Sequence, residues 1–264
     1  MADFDGKIVL VTGGATGLGA AIAIGAAERG AMDVIVNYSK SAKEAEATAA
    51  EVRAAGAEAV IAQGDVAEDA DCRRIAEAAA RFGRLDALVN NAGITKHVAH
   101  ANLDGLSKED FLRLYAVNTV GPFQMIRACR PLLEKAPRQA SVVMTSSIAG
   151  VTGIGSSVAY AASKGALNIM TKALARALAP KIRVNAICPG FMDTRWFGDA
   201  FGAEQLQKIR ETVEKSTPLQ VASTADDIAD AALFLISDAA RRITGETLLA
   251  DAGLHLGPMI QRGR

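Results

Sequence analysis

The sequence predicts an α/β fold, a doubly wound parallel β-sheet of about seven strands with helices on both faces. Two patterns carry the prediction. Short β-branched runs recur along the chain, and alanine-rich stretches with helical spacing separate them. Strands buried on both faces read as continuous apolar runs. Their alternation with helices implies parallel strands joined by right-handed crossovers.

In order, "KIVLVT", "DVIVNY", "EAVIAQ" and "LDALVN" read as the first four strands, with "GAAIAIGAAERG" and "AKEAEATAAEVRAAG" as helices between them. The second half continues with strands at "SVVMTS" and "IRVNAICPG" and a last one in "GETLLADAG". Helices fall on "KEDFLRLYAVNTVGPFQMIRACRPLLEK", "SVAYAASKGALNIMTKALARALA" and "TADDIADAALFLIS". No linker or composition break divides residues 1–264, so one domain is expected. The stretch 191–219 fits the alternation poorly and contains the only tryptophan, Trp196. It reads as a lid inserted before the last helix and strand.

The totals narrow the function. Half of the 264 residues are hydrophobic, which excludes disorder, and the formal net charge is zero. A nucleic-acid binder would carry a basic surplus. There is neither a basic leader with a long apolar run nor an apolar stretch of spanning length, so no signal peptide and no membrane association are expected. Cys72, Cys129 and Cys188 lie far apart, as suits reduced thiols in a cytoplasmic protein with no metal cluster.

"VLVTGGATGLGAAIA" sets Gly13, Gly17 and Gly19 between the first strand and the first helix. Glycines there permit a tight turn and a close backbone approach to a pyrophosphate, which the helix N-terminus attracts. A plain glycine-rich turn is the alternative. "SSVAYAASKG" puts Tyr160 and Lys164 four apart, on one helix face among small residues. A phenol is a poor acid at neutral pH, and a nearby ammonium is expected to lower its pKa. Tyr160 could then act as general acid in carbonyl reduction and as base in alcohol oxidation. The alternative is a buried tyrosine beside a snorkelling lysine.

The spacing Thr12-Gly13-x-x-x-Gly17-x-Gly19 resembles the TGxxxGxG pattern of the short-chain dehydrogenase/reductase family. So do "NNAG" at Asn90–Gly93, the serines Ser146 and Ser147, the YxxxK of Tyr160 and Lys164, and Pro189-Gly190 with Thr194. The resemblance spans residues 7–253. It implies a Rossmann-type dinucleotide-binding domain and metal-free hydride transfer between NAD(P) and a small carbonyl or alcohol. It implies the catalytic set Asn118, Ser147, Tyr160 and Lys164, with Ser147 holding the substrate oxygen and Lys164 also binding the nicotinamide ribose. Asn118 would support a water chain from Lys164; a kink residue bonding backbone alone is the alternative. The implied cofactor contacts are Gly13, Thr16, Gly17, Leu18, Gly19, Tyr38, Ser39, Lys40, Asp65, Val66, Asn91, Ala92, Gly93, Tyr160, Lys164, Pro189, Gly190 and Thr194. Asn90 would meet the cofactor through its backbone. Asp65 would take the adenine amino group, or simply cap the next helix.

Tyr38 ends the second strand where NAD-preferring members of the family carry an aspartate. Ser39, Lys40 and Lys43 follow. A hydroxyl and ammonium groups suit a 2′-phosphate, so NADP(H) is favoured over NAD(H). The lysines could also be solvated, and the glycine loop has no arginine. His97 could border the substrate or lie in solvent. Trp196 and Phe197 could cover an apolar substrate or pack the lid. The stretch "STPLQVASTADDIA" lacks the arginine, glycine and proline of the family's pattern there. The family's habit and the apolar surplus of "ALNIMTKALARALA" imply a homotetramer, with a dimer behind it. Two narrower readings stand within the family, a 3-oxoacyl-carrier-protein reductase and a sugar or polyol dehydrogenase. A non-catalytic NADP(H)-sensing module is the rival from another class.

Overall fold

β-Branched and leucine-rich runs bring seven strands into one sheet: β1 (Ile8–Val11), β2 (Asp33–Tyr38), β3 (Glu58–Gln63), β4 (Ala87–Asn90), β5 (Ala140–Thr145), β6 (Ile182–Pro189) and β7 (Thr247–Ala250). The computed structural model describes residues 3–193 and 195–257, apart from the side chains of 195–201. All six strand pairs are parallel, in the order β3-β2-β1-β4-β5-β6-β7. Every residue of β1, β4, β5 and β6 is buried, as continuous apolar runs require when helices cover both faces.

Nine helices are described: α1 (Gly17–Glu28), α2 (Ala42–Ala54), α3 (Asp69–Ala80), α4 (Lys108–Tyr115), α5 (Gly121–Leu133), α6 (Ala149–Thr152), α7 (Val158–Leu178), α8 (Arg195–Ser216) and α9 (Ala225–Ile236). One core joins α1, α2 and α9 to the sheet through Ile22, Val52 and Leu233. The other joins α3, α5 and α7 through Ile75, Met125 and Leu167. Gly25 permits the closest approach in the first core, since a Cβ there would lie 2.7 Å from Leu233 Cδ1.

The single long helix expected over 108–135 is α4 and α5 joined by a π-helical turn, Ala116–Val120. The extra residue in that turn carries Asn118 inward, where it is fully buried. The lid region holds α8, kinked at Gly202 (φ 75°). Its Arg210 forms an ion pair with Asp193. No helix among the described residues is long and apolar enough to cross a membrane.

Candidate active site

Strand order reverses between β1 and β4, so the crossovers leaving these strands diverge and open a crevice at the carboxyl end of the sheet. A continuous cleft of about 1180 Å³ occupies that end, running from the loops after β2 and β3 to those after β6 and β7.

The glycine loop forms the floor of its first half. Gly13 (φ 59°) and Gly17 (φ 53°) take left-handed backbone, which costs other residues energy. Gly19 lies beneath the loop; a Cβ there would stand 2.2 Å from the Gly13 carbonyl oxygen and 2.5 Å from Asn91 Nδ2. Thr16 precedes α1 without a side-chain cap, so the first N–H groups of the helix remain for an anion in the cleft.

Asn91 clamps this loop. Its Nδ2 donates to the carbonyls of Thr12 and Gly13, both at 3.1 Å. The N–H groups of Asn91 and Ala92 donate to Thr12 Oγ1 at 3.0 and 3.1 Å. Sequence reasoning missed the second clamp, Asn37. Its Oδ1 accepts from Gly13 N at 3.1 Å, and its Nδ2 donates to the carbonyls of Ala62 and Gly64 at 3.0 and 3.1 Å. An amide directly after the apolar run Val34–Val36 was the signal, because a buried polar group needs partners.

Lys164, on α7, is buried under the cleft, and its Nζ donates to the Thr145 carbonyl at 2.7 Å. Tyr160 lies one turn earlier, its ring centroid 5.7 Å from that nitrogen. Ser157 caps the helix by accepting from the Tyr160 N–H at 3.2 Å. Ser147 lies two residues past β5, on the cleft wall with the phenol. It also accepts from Ala149 N at 3.1 Å. Three of the four catalytic candidates therefore line one wall.

Asn118 stands behind that wall. Its Oδ1 accepts from Ile94 N at 2.9 Å, and its Nδ2 donates to the Ile94 carbonyl at 3.0 Å and to Ser163 Oγ at 3.1 Å. A Cβ at Gly93 would lie 3.4 Å from Asn118 Oδ1 and 3.6 Å from Lys164 Nζ, so the three groups converge.

The electrostatics differ from the expectation of a lowered phenol. Burial pushes the Tyr160 phenol up to about 12, although part of the ring opens to the cleft; the nearby Ser147 hydroxyl pulls the other way. Burial also pulls the Lys164 ammonium down to about 8. Desolvation is the largest cause of both shifts.

Of the cofactor candidates, Gly13, Thr16, Gly17, Leu18, Tyr38, Ser39, Lys40, Asp65, Val66, Asn91, Ala92, Gly93, Pro189 and Gly190 line the cleft with Tyr160 and Lys164. Thr194 lies outside the described residues, as do the side chains of Trp196 and Phe197. The Asn90 side chain is buried, its Nδ2 donating to the Pro122 carbonyl at 3.4 Å, so its approach to a cofactor is through the backbone, as expected above. Asp65 Oδ1 accepts from Ala67 N at 3.0 Å within the turn ahead of α3, whose N-cap is Glu68, and the residue lines the cleft. Arg113, Val117 and His100 line the cleft without having been singled out as cofactor contacts; His97, left open above, lines it too.

Fold and site together define a Rossmann-type, dinucleotide-binding oxidoreductase. Residues 13–255 match the family model described as enoyl-(acyl carrier protein) reductase. A protein of Streptomyces violaceoruber described as a ketoacyl reductase of the granaticin polyketide synthase is 37% identical, covering 96% of this chain and 97% of its own. The L-rhamnose 1-dehydrogenase (NAD(P)(+)) of a Sphingomonas species is 36% identical over 96% of this chain and 97% of its own. A solved structure described as a short-chain dehydrogenase/reductase from Burkholderia xenovorans superposes with a TM-score of 0.87 and 41% identity, covering 96% of this chain and 99% of that one. The chain belongs to the short-chain dehydrogenase/reductase family and is an NAD(P)-dependent oxidoreductase of carbonyl and alcohol groups.

Proposed function

We propose that the protein interconverts a carbonyl and a secondary alcohol with NADP(H), using Tyr160 as the proton donor and acceptor. Ser147 and Tyr160 together on the cleft wall, with Lys164 beneath the phenol ring, carry this reading. The dinucleotide fits the chain: the Gly19 cradle has no room for a Cβ, and the uncapped N-terminus of α1 suits a pyrophosphate. Its phosphates would lie over Gly13, Thr16, Gly17 and Leu18. Its adenosine would lie by Tyr38, Ser39, Lys40, Asp65 and Val66, and its nicotinamide end by Asn91, Ala92, Gly93, Lys164, Pro189 and Gly190, with Thr194 assigned there by resemblance. When bound it supplies the hydride.

The remaining chemistry belongs to side chains. Ser147 fixes the substrate oxygen beside the phenol and stabilises charge developing on it. Tyr160 keeps its proton at neutral pH and gives it to that oxygen. A nascent alkoxide is a stronger base than a phenolate, so the transfer runs downhill even from a phenol near 12. Lys164 stabilises the phenolate left behind, and Asn118 holds the 93–94 backbone against the lysine. A panel of ketones, sugars and acyl thioesters followed by NADPH absorbance, with NADH alongside, tests the reading. Tight NADPH binding without turnover of any carbonyl would favour the sensor instead. The granaticin relative favours the ketoacyl reductase alternative, and the rhamnose enzyme the sugar one.

NADP preference rests on the end of β2, where Tyr38, Ser39 and Lys40 line the cleft and no carboxylate stands among them. Tyr38→Asp is expected to weaken NADPH relative to NADH, since a carboxylate repels a 2′-phosphate and accepts from a 2′-hydroxyl. Equal Kd ratios for the variant and the parent would put the phosphate elsewhere.

We further propose one domain over 1–264 with 191–219 as its lid, working in the cytoplasm as a homotetramer. Exposed Val120 and Phe123 at the start of α5 and Val158 and Ile169 on α7 offer apolar surface for a second copy. A monomer by sedimentation would overturn the assembly.

A further inference from the structure

The two ends of the cleft differ in chemistry. Besides Lys164, its charged lining residues among the described ones are Lys40, Asp65 and Arg113, from the loops after β2 and β3 and from α4; Lys40 and Asp65 belong to the end assigned above to adenosine. Beyond Lys164, toward β6 and β7, no lining residue among the described ones is Asp, Glu, Lys or Arg. That end is walled by Val98, Ile154, Met192, Ile209, Val213 and Leu254. These six come from five segments: the loops after β4, β5, β6 and β7, and α8. Ile209 and Val213 are four apart and share a helix face. Ile154 is 70% exposed, an apolar side chain at the mouth of a polar protein's cleft.

The polar groups at this end are engaged with one another. His100 Nε2 donates to the Gly155 carbonyl at 3.0 Å, and Val98 N donates to the Ser156 carbonyl at 2.8 Å. The hydroxyls of Thr95 and Ser156 share a hydrogen bond. His97 has an interaction partner of its own. These links strap the 94–100 loop to the 153–157 loop and hold the Val98 and Ile154 walls in place. A polyhydroxylated substrate needs donors and acceptors aimed at each hydroxyl, and burying those hydroxyls against apolar walls costs affinity. An apolar body gains from every wall. The cleft continues past the residues assigned to the nicotinamide end to these apolar walls, which leaves them for a second ligand.

Resting on the oxidoreductase reading above, we propose that this end of the cleft takes an uncharged ketone with a broad apolar body of fused-ring size, recognised by polar contacts only at its carbonyl. The ketone gains a hydride at carbon, from the reduced nicotinamide that is thereby oxidised, and a proton at oxygen from Tyr160, replaced from solvent. The product is the secondary alcohol.

The test compares 2-decalone with two other acceptors, the linear 2-decanone of equal carbon count and acetoacetyl-N-acetylcysteamine. In the oxidising direction, 2-decalol is compared with L-rhamnose. Binding of 2-decalol to the protein–NADPH complex is measured by calorimetry. The bicyclic compounds are expected to lead by about tenfold or more in kcat/KM, the scale on which apolar pockets discriminate. Ile154→Asp, at an exposed position that does not endanger folding, is expected to weaken 2-decalol at least tenfold while the Kd for NADPH stays put. Preference for the linear ketone, the thioester or rhamnose overturns the proposal and leaves the oxidoreductase reading intact. Binding of 2-decalol that Ile154→Asp weakens, with no carbonyl reduced, keeps the apolar site and overturns the reading. Neither binding nor turnover of the bicyclic pair overturns the proposal outright.

Discussion

Tyr160→Phe is expected to lower kcat for carbonyl reduction by about 10²–10⁴-fold, the usual worth of a positioned general acid. The substitution deletes one hydroxyl and keeps the ring, so α7 and the packing around it are undisturbed. NADPH affinity should barely move, because the glycine loop and its two asparagine clamps do not touch the phenol. That split, kcat lost with cofactor binding kept, marks an interaction made in the transition state. The wild-type rate carries a second signature. Burial lowers Lys164 to about 8, so it is cationic below that pH and neutral above it. Only the cation supports an incipient phenolate, so reduction should fall as pH rises through about 8. The residual rate of Tyr160→Phe should lack that limb. A variant that reduced its substrate at near the parental rate would remove the phenol from the mechanism.

The strands were the most legible part of the chain. "DVIVNY" and "EAVIAQ" coincide with β2 and β3 as they stand, because each holds a short apolar run bounded by polar residues. The Tyr160–Lys164 pair was legible because a helix of small residues has few reasons to place both on one face. Other features depend on contacts between segments distant in sequence. "LYAVNTVGP" hinted at a distorted helix, and only packing against Ile94 and Ser163 makes it a π-helical turn. The strap from His100 to Gly155 joins loops 55 residues apart, and neither loop alone signals it. The tuning of Tyr160 was misjudged for the same reason. Sequence spacing puts a cation nearby, whereas the depth of burial is a property of the assembled wall.

Gly19→Ala is expected to raise the Kd for NADPH a hundredfold or more, about 2.8 kcal/mol. Many glycines in nucleotide-binding turns are there for backbone freedom, and Gly13 and Gly17 are of that kind, with φ of 59° and 53°. Gly19 is different. It sits in ordinary helical backbone inside α1, where alanine would normally stabilise. Space is what forbids the substitution. The new methyl would lie 2.2 Å from the Gly13 carbonyl oxygen and 2.5 Å from Asn91 Nδ2, both fixed by the hydrogen bond that joins them. Relief requires the loop to rise or the Asn91 clamp to open. Either motion moves the backbone of Gly13 away from the N-terminus of α1, which together form the phosphate floor. The damage should therefore be selective: Kd for both NADPH and NADH rises together, since the pyrophosphate is common to them. Tyr38→Asp, acting at the other end of the adenosine, changes their ratio instead. Unaltered affinity for both dinucleotides in Gly19→Ala would mean that the phosphates do not rest on this loop.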